Sequence, residues 1–296
     1  MQPDLNALAV FALVAEETNF RAAADRMGVT RSAVSQTVRK LEETLGIALV
    51  HRTTRSVSLT EAGERLYAEM APAIADMHAA IEAVGNLGSR PRGQLRLAVS
   101  SIAERFLAGP LLAAFTEANP EIQLDITVTD EEFDIIAHGY DAGVRLGEVI
   151  EEDMIAVAVS GNERQLAVCA PVYLERFGAP SHPRELVAHR CIGWRRAPKA
   201  APYRWEFAED GAEFSVAVEP EITTNDMALM IKLAIAGAGI SFGMEESFRP
   251  FVERGELVPL LEKFCPPFAG FYLYYPSRRN VAPKLRALVD HVRRLR

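Results

Sequence analysis

The chain has 296 residues, 49% of them hydrophobic and 24% charged, and a formal net charge of −8. That length suits two or three domains, and that composition an ordinary globular protein with apolar material for a sizeable core. The acidity argues against a chain coated in nucleic acid along its whole length, but not against one DNA-binding module: residues 1–60 carry seven Lys/Arg against six Asp/Glu, and the remainder 25 against 34.

Leu5, Leu8, Phe11, Ala12 and Ala15 recur at helical spacing and predict a helix over residues 5–17. Thr18-Asn19 supplies a turn and a cap, and residues 20–27 read as a short alanine-rich helix that Gly28 ends. Thr30 caps the next helix, which Gly46 closes. Val34, Val38, Leu41 and Leu45 form its buried stripe, while Arg31, Ser32, Ser35, Gln36 and Arg39 project on the other side. Such a helix pair is either part of a plain three-helix bundle with solvated charges or a helix-turn-helix, whose second helix enters a major groove.

The next segment of the chain favours the helix-turn-helix. Residues 48–52 and 56–59 predict two short paired strands around Thr53-Thr54-Arg55, a wing whose hydroxyls and cations suit phosphate or the minor groove. Thr60 then caps a long helix running from Glu61 to about Val84. Leu66, Met70, Ala73, Met77 and Val84, widened by Ile74 and Ile81, form a heptad-like stripe that either packs against its own domain or, as the helix is long for a connector, forms a dimer seam, and Pro72 predicts a kink or local break. Residues 85–93, GNLGSRPRG, form a hinge. Beyond it, strand-like runs (QLRLAVS, IQLDITV, DAGVRL, RQLAVCA, CIGWR, GISFG, GFYLYY) alternate with helical stretches, the first of them over residues 104–117. This predicts an α/β region large enough for two lobes.

Cys169, Cys191 and Cys265 are odd in number and widely spaced, which argues against a disulfide framework or zinc site and fits a reducing cytoplasm. Met1-Gln2-Pro3-Asp4 does not read as a secretory signal, and no run of 18 apolar residues offers a membrane span.

The first 65 residues carry a specific set of motifs in one order: F-x-x-A-A at 20–24, S-A-V-S at 32–35, L-E-x-x-L-G at 41–46 and L-T-E-A-G-E at 59–64. This stretch resembles the DNA-binding domain of the LysR-type transcriptional regulators. GQLRLAVS, GAGISFG and LYYPSRRNVAPKLRALVDHVR resemble, more diffusely, the effector domain of the same family. The resemblance implies an α/β protein with an all-α-rich winged helix-turn-helix domain (residues 1–60), a linker helix and hinge (61–92), and a periplasmic-binding-protein-like effector domain. In that domain one lobe spans 93–161 and 269–296 and the other 162–268, with a small-molecule cleft between. It also implies a cytoplasmic homodimer or homotetramer on partly palindromic double-stranded DNA, with RNA polymerase as a further partner and no cofactor, metal or membrane. Arg21 and Arg31 stand where relatives carry Ser or Thr and Gln, departures that bear on base preference and not on docking.

For DNA the candidates are Arg31, Ser32, Ser35, Gln36 and Arg39, with Arg52, Thr53 and Arg55 in the wing. Arg bridges guanine O6 and N7, Gln bridges adenine N6 and N7, and Ser positions more than it specifies. For the effector, ligands in open α/β sheets sit beyond the carboxyl ends of strands. That nominates Ser100, Ser101, Thr129, Arg145, Trp194, Arg195, Thr224, Asn225 and Gly243. Hydroxyls at a helix start, an Arg and an aromatic wall suit a small organic acid; the alternative is that Ser100 and Ser101 merely cap their helix and Arg145 pairs with a neighbouring acid. Other readings are weaker. An α/β enzyme lacks a P-loop, G-x-S-x-G, H-E-x-x-H or dinucleotide fingerprint, a solute-binding protein leaves the wing unexplained, and a thiol sensor needs Cys169 and Cys191 to meet.

Overall fold

The computed structural model describes residues 4–52, 57–85, 90–103, 106, 109–131, 133–150, 153–276 and 281–294. Three helices, α1 (Leu5–Glu17), α2 (Phe20–Met27) and α3 (Arg31–Leu45), open the chain. Their ends are set by local chemistry. Asn19 Oδ1 accepts from the N–H of Arg21 at 2.8 Å and Thr30 Oγ1 from that of Ala33 at 3.3 Å. Gly28 (φ 65°) and Gly46 (φ 70°) take the left-handed conformation that closes α2 and α3. Phe11, Val14, Phe20, Ala23, Val34, Val38 and Leu41 form the core between the helices. Leu45, expected in the buried stripe of α3, is 38% exposed at the end of that helix, and Leu5, the first residue of α1, is 73% exposed.

Two short strands come next, β1 (Val50–Arg52) and β2 (Val57–Leu59), paired antiparallel with Val50 opposite Leu59. Glu42 anchors the first of them, its Oε1 accepting from the N–H groups of Leu49 (2.8 Å) and Val50 (3.1 Å). The long helix α4 (Glu61–Gly85) continues through Pro72, so of the expected kink or local break the break does not occur. A proline withdraws one backbone donor from the helix ladder. Leu66, read as a seam residue, packs into the N-terminal core, and Ile74 faces a crevice against the next domain, whereas Met77 and Ile81 are 57% and 66% exposed.

The remainder builds two mixed five-stranded sheets. The first has the order β4-β3-β5-β14-β6, from Ile122–Val128, Gly93–Val99, Ala142–Leu146, Phe271–Pro276 and Met154–Ala158. Within it β3 runs parallel to β4 and β5, and β14 antiparallel to β5 and β6. The second has the order β11-β8-β12-β7-β13, from Ile222–Thr224, Cys191–Trp194, Ile240–Met244, Gln165–Cys169 and Val258–Leu260. A separate antiparallel pair, β9 (Trp205–Glu209) and β10 (Ala212–Val216), turns at Asp210 (φ 50°) and Gly211 (φ 81°). Leu95, Leu97, Phe115, Leu273 and Leu288 fill the first lobe, and Val168, Tyr173, Trp205, Ile240 and Phe248 the second. The chain crosses between lobes twice, and the crossings pair through Glu163 and Phe268, whose N–H and C=O groups exchange bonds of 3.0 and 2.9 Å.

The N-terminal helices dock on the first lobe of the same chain. Glu16 of α1 pairs with Arg96 of β3 at 2.7 Å and with Arg26 at 3.1 Å. Arg96 also donates to the Gly139 carbonyl at 3.2 Å and lies 5.2 Å from the centre of the Tyr140 ring. Tyr67 of α4 donates to the Ala137 carbonyl. Burial, with Glu16 and Asp134 near, pushes its phenol up to about 12, so it remains a donor.

Candidate DNA-binding and effector sites

The outer face of α3 is polar and available. Arg31, Ser32, Gln36 and Arg39 are exposed and Ser35 is half-buried. Ser32 shares its hydroxyl with Thr30 at 3.0 Å. Among the described residues, Arg31, Gln36 and Arg39 form no side-chain hydrogen bond or ion pair, so the surface pairing of Arg39 with Glu42 or Glu43 that its spacing allows is absent. Free guanidinium and amide groups have the donors and acceptors that a base edge in a major groove can meet. Arg52 ends β1, next to α3 in the chain order. Thr53 and Arg55 lie outside the described residues.

A cleft of about 250 Å³ opens between the two lobes at the ends of β3, β5, β8 and β12. It brings together four of the residues expected there: Ser100 and Arg145 from the first lobe, Trp194 and Gly243 from the second. The other five do not line it. Ser101 is bonded to Asp130 through its N–H and its hydroxyl. Thr129 Oγ1 accepts from the Glu131 N–H (3.2 Å) and Thr224 Oγ1 from that of Asp226 (3.1 Å), so both hydroxyls close turns. Arg195 contributes its backbone N–H to the Thr224 carbonyl at 3.0 Å, and Asn225 is exposed.

The anion cradle expected at Ser100-Ser101 is present but filled by the chain itself. The Asp130 carboxylate accepts from Ser100 Oγ (2.7 Å), Ser101 N–H (2.8 Å) and Ser101 Oγ (2.6 Å). Arg145 is also engaged, donating to the Glu131 carbonyl with its guanidinium 5.6 Å from the centre of the Phe133 ring. Sequence reasoning missed Asp130, although it directly follows a nominated residue. It also missed Gln165, Tyr203 and Glu206; Tyr203 lies just before β9, its N–H bonded to the Trp194 carbonyl at 2.7 Å, and Glu206 within β9. Tyr203 donates to Glu206 at 2.8 Å, and burial together with that carboxylate pushes its phenol upward. The indole N–H of Trp194 is buried with no partner among the described residues. Adding a Cβ at Gly243 would bring it within 2.7 Å of Met227, so only glycine keeps this wall open without moving that side chain.

All three cysteines are free and buried. Desolvation pushes the thiols of Cys169 and Cys191 up to about 12 and that of Cys265 to about 11. Among the described residues no helix is long and apolar enough to cross a membrane.

A helix-turn-helix joined through one long helix to a two-lobed α/β unit with a cleft is the architecture of a regulator that meets DNA at one end and a small molecule at the other. Two family models match, the bacterial regulatory helix-turn-helix protein of the lysR family over residues 5–64 and the LysR substrate binding domain over residues 88–296. The helix-turn-helix-type transcriptional regulator YcaN of Escherichia coli K12 is 36% identical over 293 residues, covering 99% of this chain and 96% of the relative. CrgA, a LysR-type transcriptional regulator from Neisseria meningitidis, shares the structure at a TM-score of 0.60 and 27% identity, over 99% of both chains. The full-length virulence activator AphB of Vibrio cholerae shares the fold at a TM-score of 0.62 and 23% identity, over 98% of both. The chain belongs to the LysR family of transcriptional regulators and is not an enzyme.

Proposed function

We propose that the protein reads a partly palindromic operator with α3 laid in the major groove, and that β1, β2 and residues 53–56 act as a wing on the adjacent backbone. In this reading Arg31, Gln36 and Arg39 contact base edges, and Ser32, Ser35, Arg52, Thr53 and Arg55 position the helix on phosphate. The observation that carries it is the exposed face of α3, where Arg31, Gln36 and Arg39 have no side-chain partner among the described residues. Residues 1–60 form the DNA-binding domain, 61–92 the linker and hinge, and 93–296 the effector domain. Exposed Met77 and Ile81 on α4 support pairing of two linker helices in a homodimer, itself the unit of a homotetramer. A small molecule in the interlobe cleft alters the angle between lobes, and through the contacts of Arg96 and Tyr67 shifts the DNA-binding domains. The setting is the cytoplasm and the recipient of the signal is RNA polymerase.

The test is selection of bound fragments from a genomic DNA library by the intact protein at fixed salt. Enrichment of a few sites with interrupted dyad symmetry is the expected outcome. Uniform, weak recovery without a shared motif would remove the sequence-reading role.

A further inference from the structure

The effector cleft is lined by more acid than its neighbours neutralise. Asp130, Glu148 and Glu206 all face it, and among the described residues none of them has an ion-pair partner. Asp130 sits where a bound carboxylate would seek donors, and it has already taken the two hydroxyls and the N–H of the Ser100-Ser101 cradle. A ligand anion brought there would lose those donors and face a like charge at short range. Two arginines also line the cleft, so the carboxylates exceed the guanidiniums by one; Arg145 is held in place by the Glu131 carbonyl and the Phe133 ring, neutral partners that fix its position without cancelling its charge, and Arg196 already has an interaction of its own. The rest of the wall is Ile102, Val149, Met227 and Phe242, with Trp194 and Tyr203 meeting edge to face at 6.2 Å. Such aromatic and apolar surface suits the body of an organic cation. The unpartnered Trp194 N–H adds a donor for a hydroxyl or carbonyl on the same molecule.

Resting on the cleft reading above, we propose that the effector is a small organic cation, with a primary ammonium or guanidinium group seated against Asp130 and Glu148 and an apolar body in the space of about 250 Å³. This reverses the charge expected from the serines alone. Their hydroxyls face inward to hold a carboxylate of the chain, and it is that carboxylate which faces the ligand.

The experiment follows thermal unfolding of the intact protein with two matched series at equal concentration: pentylamine, cadaverine and agmatine against valerate and glutarate. The amines raise the Tm by about 2–4 °C near saturation and the acids leave it unchanged. The amine shift falls in Asp130→Asn. It also falls in Glu148→Gln, an exposed position whose replacement leaves the fold alone. Acids acting in place of amines, no shift with either series, or an amine shift untouched by both substitutions overturns the cation assignment. Val149→Trp, filling the cleft from an exposed position, separates the two levels. A shift produced by acids and lost in this variant rejects only the charge. A shift that survives it, from either series, rejects the cleft as the effector site as well.

Discussion

Gly63→Ala sets helix propensity directly against packing. Gly63 lies in the first turn of α4, and a Cβ there would stand 2.0 Å from the Leu49 carbonyl oxygen and 3.0 Å from its carbon. That carbonyl is not free to retreat. It accepts the Thr60 N–H at 3.0 Å, while Thr60 Oγ1 donates to the Ala48 carbonyl at 2.8 Å and receives the Gly63 N–H at 3.0 Å. An exposed Gly-to-Ala change inside a helix gains about 0.8–1.0 kcal/mol. Here the backbone must move by more than an ångström, an overpacking cost of about 1–3 kcal/mol or more, and the displaced Thr60 bond adds about 1 kcal/mol. The net is a loss of about 1–3 kcal/mol, which in a unit of this size lowers the melting temperature by about 4–8 °C per kcal/mol. Circular dichroism of the N-terminal transition reads the effect, and DNA affinity falls with it because the same junction sets α4 against the helices that carry α3. An unchanged or raised Tm would refute the steric reasoning and leave propensity as the governing term.

Other consequences are as specific. With their thiols pushed up to about 12 and 11 by burial, the cysteines of the native protein react with a disulfide reagent at pH 8 only as fast as the chain unfolds. Rapid native labelling, or a Cys169–Cys191 bridge after peroxide, would contradict this. Glu245, held below the usual carboxylate range by hydrogen bonds from Arg164 at 2.8 and 2.9 Å, contributes stability at neutral pH that is lost as pH falls below that range. Glu245→Gln therefore removes up to about 1 kcal/mol at pH 7, discounted for solvent access, and flattens the acid limb of a stability-against-pH curve. A parallel curve for the variant would contradict it. Arg96→Ala unties Glu16, Gly139 and Tyr140 at once. The expected result is a larger radius of gyration in solution scattering with both effector lobes intact, and an unchanged profile would show that the docking does not depend on this residue.

The N-terminal elements were legible because each is fixed by neighbours in sequence. Asn19, Gly28, Thr30 and Gly46 start or stop helices through bonds within a few residues, and all four act as their residue types dictate. The long-range part was less legible. Asp210-Gly211 is a turn signal for β9 and β10, but without it read as such Glu206 stayed outside the candidate site, as did Tyr203 just before β9. Periodicity placed Ser100 and Ser101 at a strand end correctly. It could not tell that Asp130, 30 and 29 residues on, would claim their hydroxyls, because that pairing depends on the parallel register of β3 and β4. Leu66 shows the same limit, since its helical phase fits a seam or the chain's own core equally well and only packing decides.

The most direct measurement is the specificity ratio of DNA binding: the affinity for an enriched genomic site over a random duplex at one fixed salt, for the wild type and for Arg31→Ala with Gln36→Ala. Two base contacts worth about 1–3 kcal/mol each predict a fall of roughly thirtyfold or more in the ratio, carried by the specific site while random binding changes little. A ratio that holds within about twofold would mean that α3 does not read bases, and sequence recognition by this face of the protein would have to be abandoned.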